Sequence, residues 1–416
     1  SFNQCLKRHV DLLSEGFEAK KLRLRNRLHV TDDEGVLLNE WATPIDCRAP
    51  LGRGEKMDDE RIMFLSTSSH GDGVRQQIER VLEQRSKSFD AILRQTPTIK
   101  DALTLLDDGV GDIVAMSPED WLQYQDGNFA IVGLLSRREP TWVLVSEDKP
   151  EYLIKHARIV CHHPLLQRQM LRLRHDLQIL TKEDVDINSS DADSREEIEH
   201  LEALRTGGDI DGYVVKRSQY NLLSGKTRRH TLGLHKGAPE RSHFVPPPLN
   251  GFTLLVGRLG FPKKKIEHIL DPSAEFAYRI ESALLESIPQ DLVELTGIHV
   301  EQRGVGTILR EAKKNNDDWT MTAMIDPEKK VRDATTRVEM RIETLSVDGK
   351  VSACAEQIGP LEKHRVAMVN LLQEWGSMLT TLTSEHEATK RRIRNMPDEF
   401  HEDRPAMMRL HSDESE

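Results

Sequence analysis

Between Arg61 and Val215 the chain repeats one pattern: a short apolar run stops at a polar turn, and a stretch with apolar residues at helical spacing follows. Arg61 to Ser69 reads as a strand and turn, and Val74, Ile78, Val81 and Leu82 then fall on one helix face. Thr98 to Asp108 is a second amphipathic helix, stopped by Gly109, and Asp112 to Met116 is a strand ending at Ser117-Pro118-Glu119-Asp120. Ala130 to Leu135 and Trp142 to Val145 are further strands. From Ala157 the pattern starts again: a strand to Cys161, the His162-His163-Pro164 turn, a helix to about His175, a strand Leu177 to Leu180, a charged helix Arg195 to Thr206, and a strand Gly212 to Val215. Strands alternating with helices predict largely parallel sheets, so this order predicts two β/α lobes with a ligand cleft between them.

The remainder has a different texture. Thr231 to Pro248 is rich in His, Gly and Pro and reads as a connection, and Phe252 to Val256 as a strand returning to the first lobe. Ser273 to Ile288 has helical spacing behind Pro272, Trp319 to Met324, Arg337 to Ile342 and Val351 to Ala355 have strand patterns, and Arg365 to Leu382 closes with a helix. The expected organisation is an N-terminal extension (1–58), lobe 1 (59–150, with 231–270 partly returning to it), lobe 2 (151–230), a small α+β third domain (271–383) and a charged tail (384–416).

With 416 residues, 31% of them charged, and no apolar run approaching a membrane span, the expectation is a cytosolic chain without a signal sequence. A net charge of −11 at pH 7 argues against nucleic acid or membrane as a general partner. Cys5, Cys47, Cys161 and Cys354 form no CxxC pair, which argues against a cysteine-rich zinc site and leaves reduced thiols. Locally, the basic and apolar residues from Lys20 to Leu28 read either as a docking arm for an acidic partner or as a solvated edge.

Several readings stay open at the level of single residues. Asp120 is either a working carboxylate or an acid at a helix start. His162-His163 reads as a metal pair or as polar loop residues, and His70-Gly71-Asp72-Gly73 as a phosphate cradle or a plain turn.

Laid in order, the segments from about Arg61 to Val351 resemble hydroxymethylbilane synthase, also called porphobilinogen deaminase. The resemblance is carried by Asp112 to Asp120, Ile131 to Glu139, Asn250 to Arg258 and Ile280 to Leu285. It implies two periplasmic-binding-protein-like lobes plus a small third domain, and a place in tetrapyrrole biosynthesis. The family joins porphobilinogen units onto a dipyrromethane cofactor held by a cysteine thioether, with an aspartate steadying developing positive charge and cations holding the carboxylates. By resemblance Asp120 stands at the aspartate's position, and Ser68, Arg137, Arg168 and Gly251 are the positions expected to touch a ligand. The neighbouring lysine is replaced by Glu119, and Leu292 stands where the cofactor cysteine belongs. The paired arginines correspond to Leu166-Gln167, the Arg-Gly-Asn loop to about Glu183-Asp184-Val185, and the first-turn arginine to Ser66, while Lys100 remains in the basic stretch. A polycarboxylate would meet unpaired or like charges at such positions, costing on the order of 1–3 kcal/mol each. The expectation is therefore a divergent relative without the dipyrromethane cofactor or polymerisation, taking a small anionic or pyrrole-like ligand in its cleft. A non-catalytic binding or scaffold protein that uses the cleft or the N-terminal arm is the alternative.

Overall fold

A computed structural model describes residues 61–67, 71–85, 89–185, 194–223, 225, 227–234, 243–385 and 405–411. The N-terminal extension, Ser68 and most of the tail lie outside the described residues. Lobe 1 runs β1 (Ile62–Thr67), α1 (Val74–Arg85), β2 (Ala91–Thr96), α2 (Ile99–Asp107), β3 (Ile113–Met116), α3 (Pro118–Tyr124) and β4 (Phe129–Leu134). The chain then crosses to lobe 2: β5 (Trp142–Ser146), β6 (Arg158–Cys161), α4 (Pro164–Leu173), β7 (Gln178–Leu180), α5 (Ser194–Gly207), β8 (Gly212–Lys216), α6 (Arg217–Tyr220) and β9 (Arg229–Leu232). It returns to lobe 1 in β10 (Leu254–Arg258).

Each lobe is built on a five-stranded sheet, ordered β2-β1-β3-β10-β4 in lobe 1 and β7-β6-β8-β5-β9 in lobe 2. The two sheets share one departure from the expected parallel arrangement. In lobe 1 the returning strand β10 lies antiparallel to both β3 and β4, and in lobe 2 the entering strand β5 lies antiparallel to both β8 and β9. A strand that arrives directly from the neighbouring lobe, without a crossover helix, enters its sheet from the opposite end and must run against its neighbours. This corrects the boundary at 150, since Trp142–Ser146 pairs only within lobe 2 and the crossing lies at 135–141. Continuous apolar runs such as Ile113–Met116 and Trp142–Ser146 are buried along their length, as central strands require.

Two strands escaped the sequence pattern in the lobes. β2 leaves Ile92, Arg94 and Gln95 exposed because it is an edge strand. β9 runs into the start of the segment from Thr231 that reads as a connection.

The third domain comprises α7 (Pro272–Glu286), β11 (Thr296–Arg303), α8 (Val305–Asn315), α9 (Asp318–Met324), β12 (Arg337–Leu345), β13 (Ser352–Pro360) and α10 (His364–Thr383). Its antiparallel sheet is ordered β11-β12-β13. Asp271 caps α7, accepting from the Ser273 and Ala274 amides ahead of the pattern that Pro272 announces. The expected strand over Trp319–Met324 is the helix α9: Asn316 adopts the left-handed conformation, and Asp317 accepts from the Thr320 amide, so the chain breaks and restarts as a helix. Within the tail, Pro405–His411 packs back on this domain, with Met408 buried and its amide donating to the Leu382 carbonyl. No helix among the described residues is long and apolar enough to cross a membrane.

Candidate functional site

The two lobes enclose a cavity of about 490 Å³, lined from lobe 1 by one face of α1 from its start to Gln84, the start of α3 and the crossing segment, and from lobe 2 by Lys216, Arg217, Ser218 and Asn221. The Leu249–Phe252 return completes its lining.

At the start of α1, Gly71 and Gly73 both have positive φ, and an added Cβ at Gly73 would fall 2.9 Å from Ser218 Cβ of lobe 2. Glycine is required there because the lobes approach that closely. Between the two glycines, Asp72 Oδ1 accepts from the Val74 amide at 2.9 Å, capping the helix with the chain's own carboxylate. Burial raises the Asp72 pKa, opposed by the Val74 amide and by Arg138. Arg138 donates to the Asp72 and Phe252 carbonyls, and its Nε is buried without a partner among the described residues. Burial lowers its pKa despite nearby Asp72 and Glu119.

The start of α3 is closed in the same way. Ser117 Oγ accepts from the Asp120 amide at 3.1 Å and donates to Asp120 Oδ2 at 2.8 Å, and the Ser117 amide reaches Oδ2 at 3.4 Å, completing a capping box. Asp120 therefore turns its carboxylate into its own helix. Both oxygens of the adjacent Glu119 accept from Lys216 Nζ at 3.0 Å across the cleft, and Arg217 pairs with Glu139. Lys216 also lies 6.0 Å from the Trp142 ring, against which His163 packs edge-on at 5.8 Å. Burial first, and Lys216 second, push the His163 pKa down to about 4. Among the described residues, exposed Arg80 and part-buried Arg138 are the cavity-lining cations with no carboxylate at ion-pair distance.

The other expected contact positions are distributed differently. All five donors of Arg137 are used by the protein: Nε and Nη2 reach the Asn250 carbonyl at 3.0 and 2.9 Å, Nη1 reaches Glu281 Oε1 at 2.7 Å and the Val300 carbonyl at 3.1 Å, and Nη2 reaches Glu281 Oε2 at 3.2 Å. Its guanidinium also stacks 4.1 Å from the Phe252 ring. Arg137 thus lines the cavity while tying the crossing to the third domain. Its partner Glu281 is fully buried and also accepts from the Leu249 and Val300 amides, with burial as the foremost cause raising its pKa. The role of Glu281 was missed in sequence, because its partners are scattered from residue 137 to residue 300.

Arg168 is not in the cleft. It is buried on α4 and donates to the Leu345 carbonyl at 2.7 Å and to the Leu410 carbonyl, which corrects its expected ligand contact. The expected cleft position came from the resemblance, in which Arg168 stands one residue beyond Leu166-Gln167, the positions of the paired arginines. Gly251 does line the cavity, with φ of +86°, and an added Cβ would lie 2.7 Å from the Arg138 carbonyl oxygen. Ser68 lies outside the described residues.

The substituted positions are absorbed into the protein. Leu292 is core. Leu166 is buried, Gln167 donates to the Cys161 carbonyl at 2.7 Å, and Asp184 accepts from the Thr181 amide at 2.7 Å. His162 faces Glu197 at 3.3 Å, with Lys182 on the same carboxylate at 2.8 Å, so an ammonium completes that group.

No family model and no curated protein matches this chain. Among solved structures it is similar to the periplasmic aliphatic sulphonate binding protein SsuA of Escherichia coli, at 14% identity over 62% of this chain and 79% of that one, with a TM-score of 0.29. It is also similar to an ABC transporter periplasmic substrate-binding protein of Coxiella burnetii, at 14% identity over 51% of this chain and 93% of that one, with a TM-score of 0.30. A third is the BvgS VFT2 domain of Bordetella pertussis, at 14% identity over 53% and 90%, with a TM-score of 0.29. Likenesses this distant bear no weight. The fold class, two periplasmic-binding-protein-like β/α lobes with a third α+β domain, stands on the sheet orders and the pair of crossing strands.

Proposed function

We propose that this chain is a non-catalytic cleft-binding protein on a scaffold divergent from hydroxymethylbilane synthase, and that it takes one small anion between its lobes instead of extending a polypyrrole. One observation carries this reading: the cleft answers its own charges. Asp120 is held by Ser117, while Lys216 and Arg217 are held by Glu119 and Glu139. A growing polycarboxylate needs several open cations at once, and among the described residues lining the cavity Arg80 is the one exposed cation that no carboxylate holds. A small anion needs fewer. The Lys216–Glu119 pair is partly exposed, Glu119 at 65%, and such pairs contribute about 0–1 kcal/mol, so an incoming carboxylate displaces Glu119 at little cost. The cavity also falls within the roughly 300–1,000 Å³ common for small-ligand sites.

The test uses the purified full chain. With porphobilinogen, no Ehrlich-positive linear tetrapyrrole forms; product that disappears in Asp120→Ala sinks the proposal. In thermal-shift titrations with succinate and with porphobilinogen, at least one raises the midpoint, and Lys216→Ala abolishes the rise. No rise with either compound leaves the scaffold alternative in its place.

A further inference from the structure

We propose that His243, Glu343 and Cys354 form a zinc-binding site on the seam between lobe 2 and the third domain. Their ligand atoms, a ring nitrogen of His243, a Glu343 oxygen and Cys354 Sγ, lie within 4.8 Å of one another. Glu343 and Cys354 are direct register partners on β12 and β13, so their side chains leave the sheet on the same face. α4 covers this face, while the neighbouring residue Thr344 faces the other way and accepts from the Trp375 indole of α10. His243 arrives from the segment that leads back from lobe 2.

The positions of two ligands are fixed by α4. Arg172 donates both to Glu343 Oε1 and to the His243 carbonyl, and Gln169 donates to Glu343 Oε2 at 3.2 Å and to the Val245 carbonyl at 3.0 Å. Groups that orient ligands in this way are a usual part of metal sites. A second observation concerns His243 itself: among the described residues its buried Nε2 makes no aligned hydrogen bond, and Glu343 Oε1 lies 3.3 Å away. The two atoms converge without aligning, which is the arrangement of two ligands on a common centre. One nitrogen, one carboxylate oxygen and one sulfur, with a position left for water, is a donor set suited to Zn²⁺. As the metal–sulfur bond forms, the Cys354 thiol proton is released to solvent, and the thiolate with Glu343 offsets the charge of the metal beside Arg172. Cysteine spacing could not signal this site, because its ligands lie on three separate segments.

The full chain, reduced and stripped of metal, is titrated with Zn²⁺ against a chromogenic chelator. One Zn²⁺ binds per chain, and Cys354→Ser and His243→Ala each weaken binding by at least about tenfold. The Co²⁺ form shows a thiolate-to-metal charge-transfer band that Cys354→Ser removes. Zn²⁺ also protects Cys354, identified by peptide mass, from alkylation. Metal-free Cys354→Ser should melt as the metal-free parent does, which separates lost ligation from lost folding. No stoichiometric binding, binding indifferent to both substitutions, or a Co²⁺ form without the thiolate band would each reduce the cluster to a structural ion pair and overturn the assignment.

Discussion

Two kinds of ion pair link parts of this molecule, and they differ in burial. Arg137–Glu281 joins the crossing segment to the third domain with the carboxylate fully buried, and Arg172–Glu343 joins lobe 2 to the same domain with a carboxylate 1% exposed. Across the cleft, Lys216–Glu119 and Arg217–Glu139 leave their carboxylates 65% and 49% exposed. Breaking a buried pair strands a desolvated charge, whereas breaking an exposed pair returns both groups to water. The third domain is thus the fixed mount for both lobes, and the cleft contacts are the exchangeable ones.

The comparison breaks most visibly at Arg137. Arg137→Ala should lower unfolding stability by about 3–5 kcal/mol in urea titrations, and a loss under about 1 kcal/mol would erase the distinction between mount and cleft. Next comes His163, at the wall beside Lys216. Its folded pKa of about 4 lies below the ordinary 6.5, so it favours the folded state fully above pH 6.5. That contribution is lost as pH falls from 6.5 towards 4, by at most about 3 kcal/mol. Urea midpoints for His163→Phe should accordingly vary less over that window than those of the parent. Ser117→Ala removes the capping hydroxyl and should cost about 1 kcal/mol, read in the same titration. Smallest is Lys216→Ala, under about 1 kcal/mol in stability; a larger effect would mean that the cleft pair is a structural joint.

The alternating runs made both lobes legible, because central strands such as Ile113–Met116 are apolar throughout and leave few alternatives. β11 was invisible for the opposite reason: its His299, Glu301, Gln302 and Arg303 look polar, yet Arg303 is buried in ion pairs with Glu339 and Glu311. A buried charged strand cannot be told from a loop by periodicity alone. The site was legible to the same degree. Ser117-Pro118-Glu119-Asp120 carries a helix-start pattern, and the capping role left open for Asp120 is the one its hydrogen bonds serve. What Glu119 does depends on Lys216, 97 residues later, and what Arg168 does depends on Leu345 and Leu410. No local spacing encodes those partners.

The reversed strand of lobe 1 also sets a timetable for synthesis. β10 sits between β3 and β4, so until residue 258 has left the ribosome those two strands lack their native hydrogen-bonding partner on their facing edges. All of lobe 2 is made while those edges stand open. Unpaired edges of this kind attract other chains, so nascent molecules of this protein should depend on holding chaperones until the returning strand is inserted.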